Sequence, residues 1–196
     1  PGCLVYEHKL SRFDQSVLTI HPGEYHVSRD DIIISTVLGS CVSVAFWDWR
    51  LQQGGMNHFM LPGDVSDADL VRNPNAKYGM FAIELLYNEL MKLGSMKRDL
   101  VAKVFGGASV LKLETGPTKV PKGNVDFAQA YLHAEGIPII ANDTGGILPR
   151  KIFFFAQTGK VLLKRIAGAM ASEVEREEAL YLDKIKRAES GKVTLF

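Results

Sequence analysis

The chain has 196 residues, with 23 Lys and Arg against 22 Asp and Glu. That length corresponds to one domain, or one domain with an appendage, and is enough to bury a core without disulfides or a structural metal. With 46% hydrophobic and 23% charged residues and a net charge of +1, disordered, collagen-like and coiled-coil-only readings are excluded, and no global field draws nucleic acid or an anionic membrane.

In chain order, residues 1–16 read as a mobile arm, and Val17–Ile20 and Tyr25–Val27 as short strands around the turn His21-Pro22-Gly23. Asp31–Val37 is short and β-branched, which predicts a buried strand that stops at Leu38-Gly39-Ser40. Cys41–Asp48 reads as a second strand, with Val42, Val44 and Phe46 on one face and Cys41, Ser43, Ala45 and Trp47 on the other. A turn over Asp48–Gln53 leads to a third strand, Gly54–Leu61, ended by Pro62, and Gly63–Ala76 reads as an exposed polar loop. Tyr78–Leu93 is the strongest helix, stopped by Gly94. Leu100–Phe105 is a strand, Val125–Glu135 a helix, Ile137–Ala141 a strand and Asn142–Leu148 a glycine-rich turn. Lys151–Ala156 and Val161–Arg165 form a hairpin, and a charged helix runs from Ala169 to about Ser190. Many strands with two internal helices predict an α+β sandwich rather than a doubly wound sheet.

The two cysteines, Cys3 and Cys41, make no disulfide framework and sit in no CxxC pair, so a structural zinc is not expected. The first residues lack the basic and apolar segments of a signal peptide, and no stretch reaches the roughly 18 apolar residues of a membrane span. The expected compartment is the cytoplasm, where thiols stay reduced.

Chemistry points first to Cys41. It follows a tight Gly39-Ser40 turn, which can aim successive backbone N–H groups at one point, as an oxyanion hole requires. His58 lies on the next predicted strand. With a two-residue turn at Trp49-Arg50, residues i and 99−i pair and Cys41 lies opposite His58, within thiol–imidazole reach. Such an imidazole can support a thiolate, and the thiolate can attack an amide carbon. A third polar group usually orients the imidazole; Ser35 and Thr36, on the preceding strand, are the hydroxyl candidates.

Other signals are weaker. Gly106-Gly107-Ala108 lacks both GxGxxG and GxxxxGK[ST], so a close backbone approach or pocket wall is expected in place of a nucleotide. Asp143-Thr144-Gly145-Gly146 reads as an Asp-initiated turn rather than a metal site. His21, His26 and His133 show no ligand spacing, and Lys77-Tyr78-Gly79 reads as a helix start. The alternating charges of Ala169–Ser190 predict a solvated face, with a docking helix or a dimer contact as alternatives.

Ser35-Thr36-Val37-Leu38-Gly39-Ser40-Cys41-Val42, Asp48 and Gly55-Met56-Asn57-His58-Phe59-Met60-Leu61-Pro62 closely resemble the chemotaxis receptor glutamine deamidases, the CheD family. So do Lys77-Tyr78-Gly79, Ala102–Ala108, Asn124, Glu135-Gly136-Ile137, Asp143–Gly146 and Arg150-Lys151, in order from about Val17 to Ile166. The resemblance implies a β-sandwich of mixed and antiparallel strands with helices packed outside, spanning residues 17–168 between the arm and a charged 169–196 extension. It also implies a cysteine hydrolase that converts glutamines of methyl-accepting chemotaxis receptors to glutamates without metal or nucleotide. Cys41 would be the nucleophile and His58 the base. The family's third position, a threonine six residues before the cysteine, falls on Ser35; Thr36 is the rival if the register slips by one, and should then face the other side of the strand. Val120–Asn124 departs from the family's more usual Ile-Gly pair before the Asn. A CheC-type phosphatase is the further partner implied. Nucleic acid and membrane insertion are not.

Overall fold

The computed structural model describes residues 6–9, 13–61, 74–110, 112–113, 116–117 and 119–190. Its elements are β1 (Tyr6–Lys9), β2 (Ser16–Thr19), β3 (Tyr25–Ser28), β4 (Ile33–Leu38), β5 (Val42–Asp48), β6 (Gln53–Asn57), α1 (Pro74–Lys92), β7 (Leu100–Gly106), β8 (Lys112–Leu113), β9 (Gly116–Pro117), α2 (Val120–Ala134), β10 (Ile139–Thr144), β11 (Arg150–Phe155), β12 (Val161–Arg165) and α3 (Ala169–Ser190).

The alternation in β5 sets the architecture. Its Val42, Val44 and Phe46 face one way and pack with Ile83, Leu86 and Leu90 of α1 and Phe127, Ala128 and Leu132 of α2. Cys41 and Ala45 face the other way, into a second core shared with Ile34 and Leu38 of β4, Met56 of β6 and Ile152 and Phe154 of β11. That second core lies between two five-stranded sheets, ordered β1-β2-β4-β11-β12 and β10-β7-β5-β6-β3. The pairs β2–β4 and β7–β10 are parallel, whereas β5 is antiparallel to both of its neighbours. The fold is therefore α+β, two mixed sheets face to face with α1 and α2 covering one outer face. Every β5 side chain but the half-buried Trp47 is buried on one side or the other, at about 25 cal/mol per Å² of apolar surface.

The structure differs from the sequence reading at several places. The β5–β6 connection spans Trp49–Gln52, with Gln52 at φ 51°, so Ala45 pairs with Met56 and Val42 bridges Phe59. Paired numbers therefore sum to 101 instead of 99. Within the expected arm, Tyr6–Lys9 pair with β2 as a strand. Helix α2 begins five residues early, because Pro121 is tolerated in a first turn where its missing N–H costs nothing. The expected turn at Asn142–Leu148 begins later, since Asn142–Thr144 continue β10 beside β7. Cys3 and most of the Gly63–Ala76 loop lie outside the described residues. The C-terminal helix has the expected bounds but not a wholly solvated surface: Val174, Glu178, Leu182 and Ile185 are buried along one stripe. Among the described residues no helix is long and apolar enough to cross a membrane.

Candidate active site

The turn between β4 and β5 is shaped by its neighbours. The Ala108 N–H donates to the Gly39 carbonyl and the Gly107 N–H to the Cys41 carbonyl, both at 2.7 Å. A side chain at Gly106, which sits at φ +110°, would place Cβ 2.1 Å from the Cys41 carbonyl oxygen. The glycine pair thus serves a close backbone approach. Buried Asn124 donates from Nδ2 to the Ser40 carbonyl and accepts the Leu61 N–H at Oδ1, each at 2.8 Å. A trans peptide points its C=O and N–H to opposite sides. Anchoring the Ser40 carbonyl therefore aims the Cys41 N–H away from Asn124.

The aimed groups converge. The N–H groups of Gly39 and Cys41 donate to Oε1 of Glu178, at 2.9 and 3.2 Å. The Ser40 N–H and Oγ–H donate to Oε2, both at 2.6 Å. Three successive backbone donors on one anionic group form a nest of the kind that holds an oxyanion.

His58 approaches from the end of β6. Its N–H donates to the Glu24 carbonyl at 2.9 Å, and its carbonyl accepts the Gly23 N–H at 2.8 Å. Beside it, Asn57 accepts the Val44 N–H at Oδ1 and donates to the Ala82 carbonyl, tying β5 to α1 where the ladder opens. The longer turn means that Cys41 does not stand directly opposite His58. A shift of two keeps both residues on the same face, and they meet diagonally: Cys41 Sγ, a ring nitrogen of His58 and a carboxylate oxygen of Glu178 lie within 4.8 Å of one another.

The hydroxyl on His58 belongs to Thr36. Its Oγ1 lies 2.8 Å from His58 Nδ1 and donates at 2.8 Å to the Ile20 carbonyl. The carbonyl can only accept, so the hydroxyl proton is spent there and Nδ1–H must be the donor to Thr36. This network assigns the tautomer and leaves Nε2 with its lone pair, buried and without a hydrogen-bond partner. Ser35, expected from the resemblance at the third position, is not at the site. Its hydroxyl donates to the Ile152 carbonyl at 3.0 Å, next to Ile33 and Phe153 on the far face of the sheet. Strand alternation separates the two hydroxyls, and β4 turns Thr36 with Ile34 and Leu38 toward Cys41.

Burial governs the electrostatics. It pushes the Cys41 thiol well up, with the Glu178 charge and a hydrogen bond to that carboxylate adding to the rise. It also pulls His58 down to about 3, with His21 adding a little. The pair is thus a neutral thiol beside a neutral imidazole. Cysteine, histidine and glutamate donors this close are also a set that a divalent cation uses. The Glu178 oxygens, however, already accept two donors each from the turn, with the Cys41 thiol as a further one, which fills the roughly four acceptor sites of a carboxylate.

Elsewhere, Asp143 is paired with Arg150 at 2.5 Å and Arg165 at 2.8 Å, an ion-pair cluster at the end of β10. Tyr78 is 41% exposed and hydrogen-bonded to Tyr181 of α3, whose own phenol feels the charge of an ionised Cys41. Sequence reasoning missed Glu178 altogether. Its signal was a lone carboxylate in the Val174, Leu182, Ile185 stripe.

A family model described as "CheD chemotactic sensory transduction" matches residues 60–165. Proteins named "Probable chemoreceptor glutamine deamidase CheD" are similar over nearly the whole chain. One from Xanthomonas euvesicatoria is 43% identical, covering 98% of this chain and 95% of the relative. One from Herminiimonas arsenicoxydans is 40% identical, covering 94% and 91%. The "CheD 1" protein of Shewanella oneidensis is 44% identical, covering 91% and 86%. The Cys41–His58 site thus sits within the span these relatives share, and the chain belongs to the CheD family.

Proposed function

We propose that this protein deamidates glutamine side chains of chemoreceptors, with Cys41 as nucleophile, His58 as proton carrier and Thr36 as the residue that orients it. The observation that carries the site assignment is the chain Ile20 carbonyl, Thr36 hydroxyl, His58 Nδ1–H, which leaves Nε2 unprotonated on a ring that has a nitrogen within 4.8 Å of the Cys41 thiol. Nε2 takes the thiol proton as sulfur attacks the carboxamide carbon. The N–H groups of Gly39, Ser40 and Cys41 receive the oxygen that becomes negative. His58 returns the proton to the departing nitrogen, ammonia leaves, and a thioester remains. A water that gives a proton to Nε2 then attacks the thioester, releasing glutamate and restoring the thiol. The balance is one carboxamide and one water in, one carboxylate and one ammonium out, and these steps use only side chains, backbone and water.

The reading extends to partners and place. The reduced thiol that the mechanism needs fits the cytoplasm, and a CheC-type phosphatase is a second partner implied by the resemblance. The near-neutral charge gives no support to nucleic acid as a ligand. The test is peptide mass spectrometry of a chemoreceptor cytoplasmic fragment after incubation with wild type and with Cys41→Ala. Conversion of glutamine to glutamate by wild type alone is the expected result; equal conversion by both would overturn the mechanism.

A further inference from the structure

Helix α3 buries the stripe Val174, Glu178, Leu182 and Ile185, at spacings of four, four and three, which line one helix face. Three of these are the apolar side chains such a stripe calls for, and the fourth is a carboxylate. Burying a carboxylate costs several kcal/mol unless hydrogen bonds replace its water. Here the replacements are the Gly39, Ser40 and Cys41 N–H groups and the Ser40 hydroxyl. The three N–H groups are the donors assigned above to the reacting oxygen. Gly39 leaves the room: a Cβ there would fall 2.5 Å from Glu178 Oε2. Around the carboxylate, Tyr181 hydrogen-bonds Tyr78 at the start of α1, and Leu182 and Ile185 join the core between the sheets.

The chemistry of the occupant matters more than its presence. Glutamate is what remains when a glutamine side chain loses its amide nitrogen. We propose that α3 is a tethered product mimic: it lies in the substrate groove, holds Glu178 where the product carboxylate is left, and keeps the enzyme closed until a glutamine-bearing segment displaces it. This rests on the deamidase reading, because only there is a glutamate the product. The seated carboxylate adds its own negative charge to the burial that already holds Cys41 protonated. An intramolecular competitor of this kind raises the apparent KM and leaves kcat nearly alone, by the fraction of time the groove is covered.

The experiment uses full-length wild type, Glu178→Ala and the doubly substituted Leu182→Asp, Ile185→Asp, each checked for native circular dichroism. The first readout is the rate at which iodoacetamide labels the peptide containing Cys41, which needs no deamidation. Both variants are expected to label at least about tenfold faster than wild type, as for a site opened from a mostly closed population. Labelling as slow as wild type in both variants overturns the inference. The second readout is deamidation of a chemoreceptor fragment, where KM should fall by a similar factor. Faster labelling with a lower kcat would make α3 part of the working site and overturn the inference. Faster labelling with no turnover by any protein would sink the deamidase reading and leave closure by α3 standing. Glu178→Gln tests the mimicry itself: Cys41 should hydrolyse the introduced amide within the same molecule, so that peptide mass spectrometry finds glutamate there. The amide should persist when Cys41→Ala is added. An amide that persists beside an intact Cys41, in a protein that still deamidates receptor, overturns the product geometry.

Discussion

Thr36, Cys41 and His58 stand at strands held on both sides, β4 between β2 and β11 and β5 between β7 and β6. Glu178 reaches the same point from α3, a helix that follows the last strand and is seated by a single stripe. The first group cannot shift gradually, because a slip of one residue in any of these ladders sends its side chains to the opposite face. The second can leave as a unit, at the cost of its own burial. On the proposed mechanism, reactivity is set in the sheets and access by the helix. Substitutions in the first region should change kcat, and those in the second should change KM and thiol accessibility.

The largest effects are expected where the proton moves. His58→Ala should lower kcat by about 10³-fold or more, since members of such a unit fail together. Thr36→Val keeps the branched shape and removes the acceptor of Nδ1–H, so kcat should fall by about 10²-fold, with Thr36→Ser restoring most of it. A Thr36→Val enzyme with wild-type kcat would remove Thr36 from the mechanism. Next in size is the anchor of the nest. Asn124→Asp still accepts the Leu61 N–H but cannot donate to the Ser40 carbonyl. The Cys41 N–H then loses its fixed aim, and kcat should drop by about tenfold with KM little changed.

The same division separates what the sequence showed from what it hid. The alternation of Val42, Val44 and Phe46 against Cys41, Ser43 and Ala45 was readable from period alone, and the two faces do go to two cores. The turn length was not readable, because Trp49–Gln52 carries no residue pair that dictates a two-residue turn. The error was two residues, which lost the direct Cys41–His58 pairing but spared the face and hence their diagonal contact. An error of one, between Ser35 and Thr36, changes everything about the hydroxyl. The neighbours Ile34 and Leu38 held the clue, since they share parity with Thr36 and face Cys41. Glu178 was hidden for a different reason. A glutamate on a charged helix reads as solvent-facing, and only the converging N–H donors 138 residues away make its burial tolerable.

Stability against pH tests how closed the site is. Burial lowers His58 to about 3 in the folded protein, against about 6.5 in an unfolded chain. Between those values the unfolded state binds more protons, so stability is intact above about pH 6.5 and is lost as pH falls, by up to about 1.4 kcal/mol per pH unit. Urea denaturation between about pH 7 and about pH 5 should therefore weaken wild type more than His58→Gln. His26, which burial also lowers, is present in both proteins, so the difference belongs to His58. Parallel losses in the two proteins would mean that water reaches the imidazole in the resting state and that α3 seals the site poorly.

The smallest effect expected sharpens the comparison most. Ser35 is fully buried and one residue from Thr36, yet its hydroxyl serves only the Ile152 carbonyl on the far side of β4. Ser35→Ala should cost about 0.5–1.5 kcal/mol of stability, the ordinary worth of one hydrogen bond, and leave kcat and KM within a factor of two or so of wild type, because nothing it touches reaches the thiol. The two alleles Ser35→Ala and Thr36→Val thus form a matched pair across one peptide bond, one read in denaturant and the other in turnover. If Ser35→Ala lost activity as Thr36→Val is expected to, the strand would have to present its odd-numbered residues to Cys41. The Ile34 and Leu38 side chains would then leave the core between the sheets, and the unfolding free energy would fall by the several kcal/mol that such a repacking costs. An activity loss without that stability loss has no place in this fold.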